Sequence, residues 1–565
     1  MFELKKRDAS GRIGSWSIKK HKIQTPTIAI VVNPNKPEIT PKELKRKFKA
    51  DLLITNAYII KNSKHRQEIE NKGLHKFYGW RGPIYTDSGT FQMYSKGSVR
   101  ITPKETIDFQ KKIGSDIITP LDEFTLPTDT RKTAAEKLKT TITRIKQAKN
   151  DIGSTALLNG PVQGGIFRDL RQKAAKEVTK TEPDIFSIGG IVPLMEQYRY
   201  KDLVDIIIST KKHISSAKPT HAFGCGHPMI FSFLVALGID VFDSAAYAIF
   251  ARSKRYMTPT GTLDLNTIED FPCTCPICIK NTPKEITETD LARHNLFVTF
   301  SEIRTIKDAI QRGALWDLVD MRARAHPKIY EAYKALQKHN NYLEKQEPAN
   351  KKRAFFYTGI ESKNRPEIYR AKKQLKQVTS KSRKYQWMGL KIPATLKTTY
   401  PFGQSIVPGY FKPKHKTDPM DNISSIVQYQ YGKNAKKIFS KKTTVEISEK
   451  TKRIRRVWDE KTLLGTIRAS DGLFVPSFQG AKKLHTVLTE KKYCVVVDDS
   501  VTDFAALGKN IFAKFVKYAD KNIRPGDSVF VVDAKNKLLS CGTALMNEKE
   551  MDDFNTGVAV RVKHH

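Results

Sequence analysis

Three cysteines crowd into one six-residue window, Cys273-Thr274-Cys275-Pro276-Ile277-Cys278, and His294 follows in Leu291-Ala292-Arg293-His294-Asn295-Leu296. Three thiolates and one imidazole make a closed tetrahedral zinc set with no open position, the structural rather than the catalytic kind. His221 and His227 are alternative imidazoles, although they precede a different loop. Cys225, Cys494 and Cys541 are scattered, so the six cysteines read as metal chemistry and not as a disulfide framework. Carboxylates form a second constellation. Asp87, Asp122 and Asp243 follow short apolar runs, in Asp87-Ser88-Gly89, Asp122-Glu123 and Asp243-Ser244. One such aspartate is usually a helix cap or a turn. Three of them, joined by Gln163-Gly164-Gly165 and Gly189-Gly190, suit nucleophilic and acid–base work on a flat heterocycle. A Gln side chain both donates and accepts toward a base edge, and glycines let the backbone approach a ligand closely.

Such residues cooperate only if the chain brings them to one place. From about residue 50 to 320, short β-branched or apolar runs alternate with longer amphipathic segments, the pattern of parallel strands with helical crossovers. Candidate strands are 52–54, 84–86, 117–119, 156–158, 185–188, 221–223 and 241–242, and helical spacing marks 103–113, 134–148, 170–178 and 200–213. A (β/α)-barrel gathers strand-end signatures at one mouth, whereas a doubly wound sheet would gather only a few. Beyond about residue 340 comes a Lys-rich, linker-like passage, Lys345 to Arg353, then mixed segments. A β-rich module closes the chain, with Ile523-Arg524-Pro525-Gly526-Asp527 as a turn before the apolar run 528–532.

Across 565 residues, 99 Lys and Arg stand against 58 Asp and Glu, an excess that favours a polyanionic partner, nucleic acid first. No apolar run approaches the roughly 18–20 residues of a membrane span, and the N-terminus lacks a secretory h-region, so a cytoplasmic home with no membrane partner is expected. Candidate phosphate contacts are Arg252, Ser253, Lys254 and Arg255, and the tracts Lys436-Lys437, Lys441-Lys442 and Lys452 to Arg456.

Asp87-Ser88-Gly89-Thr90-Phe91-Gln92, Gly160-Pro161-Val162-Gln163-Gly164-Gly165, Phe242-Asp243-Ser244 and the cysteine cluster with His294-Asn295-Leu296 together resemble the tRNA-guanine transglycosylases. The likeness is to the archaeal branch, because the chain continues through Phe355-Phe356-Tyr357-Thr358-Gly359 into a tail similar to a PUA domain at 512–516, 523–527 and 557–560. The resemblance implies a TIM-like (β/α)8 barrel with a zinc-binding insertion over 1–345, two small α+β domains over 346–420 and 421–488, and a PUA RNA-binding domain over 489–565. It implies exchange of guanine at position 15, in the D-arm of tRNA, for the free base preQ0 (7-cyano-7-deazaguanine) on the route to archaeosine. It also implies one structural zinc, no nucleotide cofactor and a homodimer. By the same resemblance the attack on ribose C1′ falls to one of two aspartates, Asp243 in the favoured reading and Asp87 in the other, with the partner managing protons; Asp122 and Gln163 bind the base, Gly190, Ile191 and Val192 offer backbone contacts, and Phe91 stacks. Alternatives on the same scaffold are a paralogue that converts the nitrile of the inserted base to an amidine, and a non-catalytic tRNA-binding protein. A glycoside hydrolase would explain Asp87 and Asp243 but not the basic excess.

Overall fold

Runs of aliphatic and β-branched residues that are too short for helices, and buried on both faces, become parallel strands when helices cover them. A computed structural model describes residues 1–90, 92–93, 101–409 and 416–565. These divide into two compact units, Met1–Gln311 with Leu318–Leu336, and Arg312–Asp317 with Gln337–His565.

In the first unit an antiparallel meander, β1 (Phe2–Asp8), β2 (Gly11–Ile18) and β3 (His21–Thr25), leads into eight strands. These are β4 (Thr27–Val31), β5 (Leu52–Asn56), β6 (Ile84–Asp87), β7 (Ile117–Ile118), β8 (Leu157–Val162), β9 (Ile185–Ile188), β10 (Thr220–Ala222) and β11 (Val241–Ser244). Each lies parallel to the next, and β11 returns to β4 with Asp243 opposite Ala29, closing the barrel. Beneath it, Arg12 is buried against Asp240, whose carboxylate also accepts from the Thr220 N–H at 2.9 Å.

The expected barrel is therefore present, with two differences in its parts. The first strand, β4, was absent from the candidate runs because Thr27-Ile28-Ala29-Ile30-Val31 follows the meander without a preceding helical segment. Candidate strand 156–158 runs on to Val162 through Gly160 and Pro161, which ordinarily break strands. A Cβ at residue 160 would lie 2.7 Å from Val178 Cγ1 and 2.8 Å from Pro183 Cγ, so glycine there admits close helix packing. The crossover helices α1 (Pro103–Lys112), α2 (Arg131–Ile152), α3 (Arg168–Thr179) and α4 (Tyr200–Lys211) match the amphipathic segments. Next, α5 (Pro228–Ala236) is buried on every side and so carries no polar stripe for periodicity to find. After α6 (Ala246–Arg252), a hairpin of β12 (Arg255–Thr258) and β13 (Gly261–Asp264) leads to α7 (Glu288–Arg312).

The second unit holds a four-stranded antiparallel sheet between residues 443 and 476 and a six-stranded sheet between 494 and 564. One apolar core runs through it, from Phe355 and Trp387 to Phe474, Phe530 and Cys541. The passage from Lys345 to Arg353 is not a solvated linker, which corrects the expectation from composition. Glu347 is fully buried, accepts from Trp316 Nε1 at 2.8 Å and pairs with Lys351 at 2.6 Å, and the Ala349 N–H donates to the Pro525 carbonyl. Charge counts misled here because the charges are paired inside. Nearby, Arg524 of the Pro-Gly-Asp turn grips Glu344 bidentately at 2.9 Å, and Arg370 donates to the same carboxylate at 2.9 Å. Burial works against the Glu344 charge, but the two guanidiniums outweigh it and bring the carboxyl down to about 2. Glu344→Ala would strand two buried cations. Its expected cost is about 3–5 kcal/mol of stability in the second unit, read by denaturant unfolding of the whole chain.

Candidate active site and metal centre

The ends of all eight barrel strands and the loops that follow them supply one cavity of about 230 Å³, below the roughly 300–1,000 Å³ of sites for drug-sized ligands and suited to a single small ring system. Asp87, Asp122, Gln163, Gly190, Val192 and Asp243 all line it, so the structure brings most of the expected residues together. Ile191 does not line it. That residue is fully buried behind the wall, and its carbonyl accepts the N–H groups of Leu194 and Met195. Phe91 lies outside the described residues. Phe124 and Phe223, which sequence reasoning passed over, supply aromatic walls.

Asp87 is the last residue of β6. Its carboxylate accepts from Asn56 Nδ2 at 2.8 Å, and Asn56, ending β5, also donates to Gln92 and caps the next helical turn through the Ile59 N–H. Gly89 has φ +91°, and a Cβ there would meet Tyr58 Cβ at 2.3 Å, so only glycine permits the turn that follows Asp87. Burial, reinforced by the charge of Asp122, pushes the Asp87 carboxyl up to about 7, against the opposing donors Gly89 and Asn56. It is thus poised to give or take a proton near neutrality.

Asp122, in the loop after β7, accepts from Gln163 Nε2 at 2.6 Å. Burial raises its carboxyl, and the Gln163 and Thr90 side chains hold it back. Gln163 Oε1 is buried with no hydrogen-bond partner among the described residues, a polar atom left for a ligand. Beneath this pair, Arg171 on α3 is fully buried and donates to the carbonyls of Val162, Gly165 and Gly189 at 2.6, 2.8 and 2.9 Å. Holding the Gly189 carbonyl downward turns the N–H of the same peptide, that of Gly190, the opposite way. The sequence signal for Arg171 was weak, since it reads as an ordinary polar position of an amphipathic helix.

Asp243, on β11, faces the others across the cavity. Its Oδ1 accepts from the Gly224 N–H at 2.7 Å and lies 2.9 Å from His221 Nε2. His221 had been weighed only as a metal ligand. It is not one, and His227 is instead engaged with Thr262.

The metal set forms elsewhere. Donor atoms of Cys273, Cys275, Cys278 and His294 all lie within 4.8 Å of one another. Cys275 and Cys278 sulfurs are 3.5 Å apart, and His294 Nδ1 is 3.3 Å from Cys278 Sγ. A tetrahedron with bonds of about 2.0–2.3 Å requires edges of about 3.3–3.8 Å, so the donors fit one small ion. His294 Nε2 donates to the Met257 carbonyl at 2.9 Å, leaving Nδ1 as the lone-pair donor, and Tyr256 stacks on the ring at 3.7 Å. The cluster ties the loop after the β12–β13 hairpin to α7.

Three half-buried carboxylates at or just after the carboxyl ends of barrel strands line a cavity sized for one ring system, the place where barrel enzymes assemble an active site. The profile of the queuine tRNA-ribosyltransferase family matches residues 8–328, and the chain belongs to that family of glycosyltransferases. Residues 421–491 match the patch-forming domain C2 of tRNA-guanine transglycosylase, and residues 493–565 match the PUA domain. Curated relatives named tRNA-guanine(15) transglycosylase are similar over the whole chain. That of Methanocaldococcus jannaschii is 42% identical over 100% of this chain and 99% of its own length. Those of Thermococcus onnurineus and Pyrococcus furiosus are 43% and 44% identical, covering 98% and 97% of their own lengths. No helix among the described residues is long and apolar enough to cross a membrane.

Proposed function

We propose that this chain replaces the guanine at position 15 of tRNA with the free base preQ0, by double displacement at ribose C1′ and on the route to archaeosine. The observation that carries this reading is the placement of two carboxylates with different tasks in one cavity. Asp87 is half-buried with its carboxyl raised to about 7, and Asp243 is held by donors on one oxygen. Asp243 attacks C1′ as the C1′–base bond breaks, and the electron pair leaves with guanine, which takes a proton from Asp87. The incoming base gives a proton back to Asp87, attacks C1′ and returns the electron pair to Asp243. Two inversions give net retention. Asp122 and Gln163 hold the base edge, and the Gly190 N–H points at its carbonyl position.

The RNA grip is spread along the chain. Residues 421–491 carry 15 Lys and Arg against 7 Asp and Glu, a local surplus that suits phosphate neutralisation. Parts of the basic tracts are internally paired, Arg252 with Glu38, Lys442 with Glu460 and Arg456 with Glu446, so they serve the grip less than their neighbours do. Zinc in the Cys273, Cys275, Cys278 and His294 set would cross-link loop and helix and take no part in the exchange. The wild-type protein is expected to carry one zinc per chain by metal analysis, and Cys275→Ser to lose it and to lower Tm by about 5 °C or more.

Nucleoside mass spectrometry of tRNA incubated with enzyme and preQ0 tests the assignment. One deazaguanosine per tRNA, absent from a transcript with adenine at position 15, is expected. Tight tRNA binding with guanosine unchanged would favour a non-catalytic binder.

A further inference from the structure

His221 is an unusual neighbour for a nucleophile. It sits on β10, fully buried, with its ring against Phe223 at 4.2 Å and Tyr85 at 5.5 Å between centroids. Nε2 lies 2.9 Å from Asp243 Oδ1, while Nδ1 is buried with no partner among the described residues. A carboxylate oxygen accepts, so Nε2 carries the proton of this contact and donates it to Asp243. The Gly224 N–H reaches the same oxygen at 2.7 Å. Gly224 has φ +73°, and a Cβ there would lie 2.3 Å from Val192 Cγ2, so the turn that aims this N–H is fixed by packing. Among the described residues, both hydrogen bonds to the carboxylate therefore fall on Oδ1.

We propose that His221 is a positioning residue which, with the Gly224 N–H, reserves Oδ1 of Asp243, presents Oδ2 as the attacking atom, and hastens departure of the carboxylate in the second half of the exchange. The proposal rests on Asp243 being the nucleophile. In the first half an Oδ2 lone pair forms the C1′–Oδ2 bond, the C1′–N bond to guanine breaks, and guanine leaves with that electron pair and a proton from Asp87. Oδ1 becomes the ester carbonyl oxygen, still facing both donors. In the second half a nitrogen of the incoming base bonds C1′, the C1′–Oδ2 bond breaks, its pair returns to the carboxylate, and Asp87 takes the base proton. Hydrogen bonds to a carboxylate are stronger than those to an ester carbonyl. Donors on Oδ1 thus restrain attack slightly and speed ester breakdown, which keeps the covalent state short-lived. Losing one donor lengthens its life, a signature that a merely structural role would not give.

The test follows ester formation and breakdown on denaturing gels, with full-length protein and labelled tRNA, before and after a chase of free guanine. His221→Leu keeps the ring's bulk without a donor, and His221→Gln places an amide nitrogen near the position of Nε2. For His221→Leu the ester is expected to form and then to release its RNA roughly 10- to 100-fold more slowly, the effect of one charge-assisted donor. His221→Gln is expected to recover most of the lost rate. Breakdown of the His221→Leu ester at the wild-type rate, or equal loss of ester formation in both variants, would overturn the proposal and leave His221 a packing residue. Wild-type turnover without any ester is a separate result, which overturns the underlying reading as well.

Discussion

Replacing Asp243 with alanine is expected to reduce guanine exchange by a factor on the order of 10⁴ or more, while tRNA binding stays within a few-fold of wild type. The size follows from the position of this group. Among the described residues of the cavity, Asp243 is the carboxylate that meets a backbone N–H and an imidazole on a single oxygen. Asp87, its carboxyl raised to about 7, is fitted to proton transfer, and Asp122 is engaged by the Gln163 amide at 2.6 Å. Filter binding and labelled-guanine incorporation separate the two effects. Loss of binding equal to the loss of exchange would make Asp243 a structural residue.

Asp87→Asn is expected to slow single-turnover guanine release by about 10²–10⁴, the usual worth of a positioned acid. Its pH dependence is the sharper readout. Asp87 has its carboxyl raised to about 7, so it remains protonated below that pH and can give its proton to the departing base. Release should be level below about pH 7 and fall about tenfold per unit above it as the proton is lost. The asparagine variant should be slow and lack this inflection. The return half-reaction, which needs Asp87 ionised, should show the opposite slope. An unchanged inflection in the variant would move the titration to another group.

The barrel was legible in the sequence, as was the gathering of its strand-end aspartates around one cavity and of the cysteines into one cluster. Asp87, Asp122, Gln163 and Asp243 announce themselves because strand ends in a parallel barrel converge, and three cysteines in six residues have no packing rationale. What stayed hidden depends on tertiary contact. Asn56, Gly224 and His221 matter only through the carboxylates they reach, 31, 19 and 22 residues away. Arg171 reads as solvent-facing until α3 is laid over the ends of β8 and β9. The strand β4 and the helix α5 escaped for opposite reasons, one placed before the alternating pattern begins, the other lacking a polar face. In the second unit, buried Glu347 and Lys351 show that a charged stretch is a linker only when its charges lack partners.

The most direct measurement is peptide mapping of the covalent species. Full-length protein is mixed with position-15-labelled tRNA, quenched in acid, digested with nuclease and protease, and sequenced by mass spectrometry. The account predicts a ribose-linked nucleotide on the peptide bearing Asp243, absent when guanine is supplied in excess before the quench. A nucleotide on the Asp87 peptide, or full turnover with no modified peptide at any quench time, would contradict it.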